Sequence, residues 1–321
     1  MRIILVSLCL LLSVHAYAES DVVNLLNKMT VAAEKSNYQG IFTVQSNNKM
    51  QSIRIIHRAD KLGEIERLVS LNGVPREVIR NNDMMMCIYP EGQKVQVNHR
   101  PLGGGFPTDL LRRLMAASDY YQLVSGQQGR IAAQQSQELM LKPIDQYRYG
   151  YRLWLDQNSY LLLQSEMIDN AGNALESYTF SSVEQGGSIS DVALQAEMKG
   201  NEMSWDRLES DMERRQSNLQ GDSLWQVTWL PTGFSLISQQ QRIKANNGAA
   251  VEQHVYSDGL SSISVFFEKI RARHSQLHGG AQRGAVNIFG SISNAHFITV
   301  VGEVPAQTVE KVGNSIQLSK Q

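Results

Sequence analysis

Tyr38-Gln39-Gly40-Ile41-Phe42-Thr43-Val44 alternates with a period of two. After the turn residues Asn47-Asn48 the same rhythm returns in Ser52-Ile53-Arg54-Ile55-Ile56-His57-Arg58. So short a connection suits a tight turn and excludes a helical crossover, so the two segments are predicted to pair antiparallel. The pattern continues outward. Strands are predicted over Glu66 to Leu71, Arg76 to Arg80, Met84 to Tyr89 and Lys94 to Asn98, with turn chemistry at Asn72-Gly73, Asn81-Asn82-Asp83 and Pro90-Glu91-Gly92. Five more follow at Tyr120 to Val124, Arg130 to Leu141, Tyr147 to Leu155, Leu161 to Ile168 and Leu175 to Val183. The result is a long antiparallel meander.

Two segments break this rhythm with helical spacing. From Asp21 to Ser36, Val22, Leu25, Leu26, Met29, Ala32 and Ala33 recur at three- and four-residue steps. From about Thr108 to Ala117, Leu110, Leu111, Leu114 and Met115 do the same, after a glycine-rich loop at Pro101 to Pro107. A curved sheet closed by two helices leaves a cavity. Met84 to Tyr89 is apolar on both parities, which a strand with one solvated face would not be. Phe42, Val44, Ile55, Met85, Ile88 and Trp154 are the candidate lining residues, chosen by alternation.

The first eighteen residues set the compartment. Arg2, the apolar run Ile3 to Leu12 and the Ala16-Tyr17-Ala18 ending have the form of a cleavable secretory signal, with cleavage expected after Ala18. An exported protein works without ATP or NAD(P)H pools, which weighs against kinases, synthetases and dehydrogenases. No later segment offers ~18 continuous apolar residues. With 30 basic and 31 acidic residues the charge is near zero, which argues against nucleic acid as a partner. Cys9 leaves with the signal, so Cys87 is the sole mature thiol and is read as a buried strand residue.

The 321 residues exceed the comfortable size of one core, so two domains are expected. The boundaries are placed at 1–18 for the signal, 19–197 for the first domain, 198–222 for a charged linker and 223–321 for a smaller domain. In the smaller one, strands are predicted at Trp225 to Leu230, Ser235 to Ile243, Glu252 to Tyr256, Ile263 to Ile270, Ala285 to Ile288 and Phe297 to Val301. Pro305 then opens a terminal helix carrying Val309, Val312 and Ile316. The fold class is α+β.

A search for catalytic chemistry comes up empty. Gly103-Gly104-Gly105 lacks the Gly-Lys-Ser/Thr of a phosphate cradle, and no G-x-S-x-G elbow exists. His274 and His278 have the spacing of two ligands on a helix but lie beside glycines with no third ligand. Asp156-Gln157-Asn158 opens like a calcium loop yet lacks the required glycine. No catalytic residue, cofactor or metal is assigned.

Binding remains. Arg54, Arg58, Arg67, Arg76 and Arg80 are candidate contacts for anionic groups such as lipid heads or an acidic peptide. Pairing with Glu64, Glu66 and Glu77 would account for the same residues. Trp229 and Phe234 flank the turn Leu230-Pro231-Thr232-Gly233, and Tyr256 leads into Ser257-Asp258-Gly259. These three aromatics are candidate partner anchors, with burial in the core as the alternative for Trp229 and Tyr256.

Several of these stretches resemble the RseB/MucB family of periplasmic sigma-E regulators. They are Tyr38-Gln39-Gly40, His57-Arg58, Glu66-Arg67-Leu68, Leu71-Asn72-Gly73 and Arg76-Glu77-Val78. In the second domain they are Trp229 to Phe234, Tyr256 to Leu260 and Val301-Gly302-Glu303-Val304-Pro305. Trp154-Leu155-Asp156, with Glu166 and Asp169 to Gly172, is similar to the lipoprotein carriers. The resemblance implies a half-open antiparallel β-barrel with helices in its mouth, joined to a smaller sheet domain with a C-terminal helix. It also implies a role. Such proteins bind the periplasmic part of a membrane-spanning anti-sigma factor and shield it from proteolysis, and lipopolysaccharide or another acyl lipid releases them. A lipid or lipoprotein carrier and an exported hydrolase are the alternatives, and a homo-oligomer is compatible with the sequence.

Overall fold

Alternation along Tyr38–Ser46 (β1) turns Tyr38 and Phe42 to one face, where both are fully buried, and leaves Gln39 and Gln45 in solvent. In the computed structural model, which describes residues 15–46, 49–82, 84–90, 108–206, 223–243, 250–270 and 278–319, this strand sits near the middle of an antiparallel sheet. Its companions are Lys49–Asp60 (β2), Gly63–Ser70 (β3), Glu77–Asn81 (β4), Met84–Pro90 (β5), Tyr121–Ile131 (β6), Gln134–Pro143 (β7), Gly150–Asp156 (β8), Leu162–Ile168 (β9), Ala174–Gln185 (β10) and Gly200–Asp206 (β11). Among the described residues the order is β11-β5-β4-β3-β2-β1-β10-β9-β8-β7-β6. Hairpin follows hairpin, and β10 closes the meander by pairing with β1, Tyr38 opposite Gln185.

Two helices, His15–Lys35 (α1) and Thr108–Ala116 (α2), lie on the buried face. Leu26, Met29 and Ala33 of α1 and Leu110, Leu111 and Leu114 of α2 pack with Phe42, Ile53, Ile55, Leu68, Leu139 and Leu153 in one apolar cluster. The second unit has a six-stranded antiparallel sheet of Ser235–Ile243 (β13), Ala250–Ser257 (β14), Ser262–Lys269 (β15), Gly279–Arg283 (β16), Val286–Ser293 (β17) and His296–Gly302 (β18). Helix Ala306–Asn314 (α3) and the short pair Trp225–Val227 (β12) with Ile316–Leu318 (β19) complete it. Pro305 precedes α3, and Val309 and Val312 bury its inner side. Ile316 reaches the same core from β19, beyond the helix. No helix among the described residues is long and apolar enough to cross a membrane.

Three expectations change. The segment Arg130 to Leu141 is not one strand. It turns at Ala132 and Ala133, both in the left-handed region at φ 48° and 63°, which neither residue type signals. The stretch Ser125 to Gln128 is a bulge within β6 rather than a break. The expected linker also starts inside the fold, because Gly200–Asp206 is β11, added to the edge of β5 with Gly200 opposite Pro90 and Trp205 opposite Met85. Residues 1–14, the strand expected at Lys94 to Asn98, Gly103 to Gly105, His274 and the linker from 207 to 222 lie outside the described residues.

Candidate functional site

The helix-covered face of the larger sheet collects four of the six candidate lining residues. Phe42 and Ile55 are fully buried there, and Val44 and Met85 pack against the same cluster. The other two point away. Cys87 and Met85 share one side of β5, so Ile88 lies on the opposite side, next to Glu77 in the strand register. Leu153 and Leu155 face the core, so Trp154 faces outward with its ring over Gly129, where a Cβ would come within 2.5 Å of it. Burial raises the Cys87 thiol above its usual range, against a weaker opposing pull from Arg76, and keeps it an unreactive core group.

One end of this face is polar. Tyr38, His57, Glu66 and Arg80 occupy directly opposed positions on β1, β2, β3 and β4. The His57 ring stacks on Tyr38 at 4.7 Å. Its Nδ1 lies 2.8 Å from the Ser36 carbonyl, which can only accept, so Nδ1 carries the proton and ties the end of α1 to the sheet. Burial pushes the Tyr38 hydroxyl well above the ordinary phenol range, and Glu66 and Glu64 add to the effect.

The opposite face accounts for two of the basic series, Arg58 and Arg67. The chain leaves β10 and crosses the outside of β2, β3 and β4 as a strap before entering β11. Arg58 donates to the Ile189 carbonyl at 3.1 Å and to Asp191 at 2.7 Å. Asp191 is 82% exposed, so that pair is worth at most about 1 kcal/mol. The pair beneath it is different. Arg67 and Glu77 are buried against each other, and Arg67 also reaches the Ala193 carbonyl at 3.0 Å and Glu197 at 3.2 Å. Glu77 accepts from the backbone N–H groups of Glu197 and Met198 at 3.1 and 2.8 Å. The Arg67 guanidinium holds the Glu197 carboxyl below the usual carboxylate range. Arg54 is exposed beside a shallow hollow lined by Gln39, Ile41, Ile56 and Glu184. Arg76 is half-buried just before β4 and bonds Ser70 through its backbone carbonyl.

The third arrangement joins the two units, and sequence reasoning missed its main residue. Arg148, in the connection between β7 and β8, is completely buried. Its Nε donates to Asp258 at 2.8 Å, and its other nitrogens reach Asp145 and the Thr232 carbonyl. The guanidinium is 4.8 Å from the Tyr120 ring and 5.2 Å from Phe234. Gly233, at φ 88°, lies so close that a Cβ would sit 2.1 Å from the Tyr120 ring. The neighbours of Arg148 dock as well. Thr308 donates to the Tyr147 carbonyl at 3.0 Å, and Asn287 donates to the Tyr149 hydroxyl at 2.8 Å. Lys311 donates to the Tyr147 hydroxyl at 2.7 Å and lowers its pKa. The available signal was an arginine between two tyrosines, Tyr147-Arg148-Tyr149, at a turn.

The three candidate anchors fall in or behind this junction. Trp229 meets the Tyr147 ring edge-on at 4.8 Å and carries the Lys311 ammonium 4.1 Å from its ring. Phe234 is buried against Arg148. Tyr256 is 6% exposed in the second core, with its hydroxyl 3.2 Å from His254 Nδ1 and its pKa raised by burial to about 12. Tyr256→Ala is therefore expected to lower the melting point while leaving partner affinity unchanged for the folded fraction. Calorimetric melting and titration on one preparation check this. A normal melt with lost affinity would make Tyr256 a direct contact.

Among known proteins, the model of the MucB/RseB N-terminal domain matches residues 21–198, and that of the MucB/RseB C-terminal domain matches residues 219–317. The chain is 26% identical over 317 residues to the sigma-E factor regulatory protein RseB of Haemophilus influenzae, covering 97% of this chain and 96% of the relative. It is 28% identical over 316 residues to the sigma factor AlgU regulatory protein MucB of Pseudomonas aeruginosa, covering 96% and 94%. It superposes on MucB from a crystal structure in complex with MucA(peri) with a TM-score of 0.70 at 26% identity, covering 94% of this chain and all of the other. A MucA/MucB complex from Pseudomonas aeruginosa gives 0.72 at the same identity and coverage.

Proposed function

Because the chain belongs to the MucB/RseB family, we propose that it is an exported regulator of the sigma-E envelope-stress response. In this reading it binds the periplasmic part of a membrane-spanning anti-sigma factor and shields that segment from regulated proteolysis. One observation carries the proposal: 94% of the chain superposes on MucB taken from complexes with MucA. Curated relatives matched over nearly their whole length are named as sigma factor regulatory proteins. No catalytic step is assigned. The buried face of the larger sheet, covered by α1 and α2, supports a half-open barrel that takes an acyl lipid, with lipopolysaccharide as the releasing signal.

The test uses the full mature protein and the periplasmic segment of the anti-sigma factor from the same organism. Titration calorimetry is expected to give saturable binding, and the bound segment is expected to resist the first protease of the cascade. Adding lipopolysaccharide is expected to weaken both. Absence of binding together with unprotected cleavage would overturn the anti-sigma reading. Binding that lipopolysaccharide leaves untouched would overturn only the lipid signal.

A further inference from the structure

The second domain completes the core of the first. Leu260, from the turn Ser257 to Ser261, is 1% exposed and belongs to the apolar cluster of the larger sheet, together with Leu110, Leu111 and Leu114 of α2. Arg113 of α2 donates to the Leu260 carbonyl. The Cβ that Gly259 lacks would stand 3.4 Å from the Cβ of Ala116, so the turn lies directly against the end of the helix. From this we propose that the turn Ser257 to Ser261 is a latch that holds α2 shut over the buried face of the larger sheet, so that the apolar interior opens only when the latch lifts.

The physics favours a latch over a passive contact for two reasons. First, α2 has nine residues, too few for a helix to persist in water without packing. Its position depends on what it touches, and one of those contacts comes from another domain. Second, the turn is rigid. Asp258 Oδ1 accepts from the backbone N–H groups of Leu260 at 3.0 Å and Ser261 at 2.7 Å. Ser257 Oγ donates to the Ser261 carbonyl at 2.7 Å and accepts from Gly259 N–H at 3.0 Å. The remaining oxygen of Asp258 is bound by Arg148. The turn therefore moves as a unit and carries Leu260 with it.

The test needs the full chain and no partner, so it stands or falls separately from the anti-sigma reading. In Leu260→Ala, deuterium exchange of the α2 amides is expected to rise about tenfold or more, since truncating a buried leucine removes much of the seat. Exchange in α3 is expected to stay at wild-type rates, and fluorescence of the apolar probe N-phenylnaphthylamine is expected to rise. Should Leu260→Ala fail to fold, Arg113→Ala removes the other half of the contact and is expected to give the same pattern more weakly. Coupling is reciprocal, so Leu111→Ala, which loosens the seating of α2 on the core, is expected to free the amides of the 257–261 turn. Lys311→Ala breaks the separate contact with Tyr147 and is expected to leave α2 unchanged. Wild-type exchange in α2 when the turn has come loose would overturn the latch, as would equal acceleration of α2 by Lys311→Ala.

Discussion

Replacing Arg148 by methionine is expected to lower the unfolding free energy by about 3–5 kcal/mol, because it leaves a buried carboxylate without its cation. Asp258 has no exposed side-chain surface, so water cannot replace the lost partner. Methionine keeps much of the volume between Tyr120 and Phe234, which separates the charge effect from a cavity effect. Urea unfolding of the full chain measures the loss. The double variant R148M/D258N is expected to recover a substantial part of it, since neither side is then charged. If the double variant is no more stable than the single one, the ion pair is not the cause. The same substitution is expected to separate the two domains, read as an increase in radius of gyration by small-angle scattering.

Glu77→Ala is expected to cost a similar amount, about 3–5 kcal/mol, by leaving the buried Arg67 guanidinium with the exposed Glu197 as its carboxylate partner. Arg67 is 5% exposed in its side chain, and Glu77 is 1% exposed. The consequence is local as well as global. Glu77 also accepts the N–H groups of Glu197 and Met198, so the far end of the strap loses both of these bonds while Arg58 and Arg67 still hold the Ile189 and Ala193 carbonyls. Amide exchange at Met198 is expected to approach that of an open chain, and β11 is expected to lose protection with it. Normal protection of Met198 in a folded Glu77→Ala protein would show that the strap is held by something else.

The sheet was legible in the sequence because its faces differ. Where one side of a strand meets the core and the other meets water, as in β1, alternation reports the fold directly. It failed where both sides are covered. Ile88 looks like a core residue of the helix-covered face and is fully buried, but on the other side of β5, beside the Glu77 anchor of the strap. Trp154 misled in the same way, since an outward ring on β8 can still lie over a glycine two strands away, Gly129 of β6. The turn at Ala132 and Ala133 has no chemical marker, so nothing announced it. The arginines were found as a group, but the sequence held no sign that Arg58 and Arg67 bind a segment more than a hundred positions away. Arg148 was overlooked because an isolated buried cation has no periodicity. The turn at Asp258 was identified, whereas its role depends on a partner residue 110 positions earlier.

The position of β11 also orders events in time. Strands β1 to β5 can pair as soon as they have been made, but the free side of β5 waits for Gly200–Asp206, long afterwards in the chain. During that interval an unprotected sheet edge made of Met84-Met85-Met86-Cys87-Ile88-Tyr89 is open to any other extended segment in an unfolded neighbour. Late, long-range pairing of this kind is slow compared with hairpin closure. A chain cut short before residue 200 would keep that edge for good, and is expected to aggregate rather than to fold into a smaller version of the same protein.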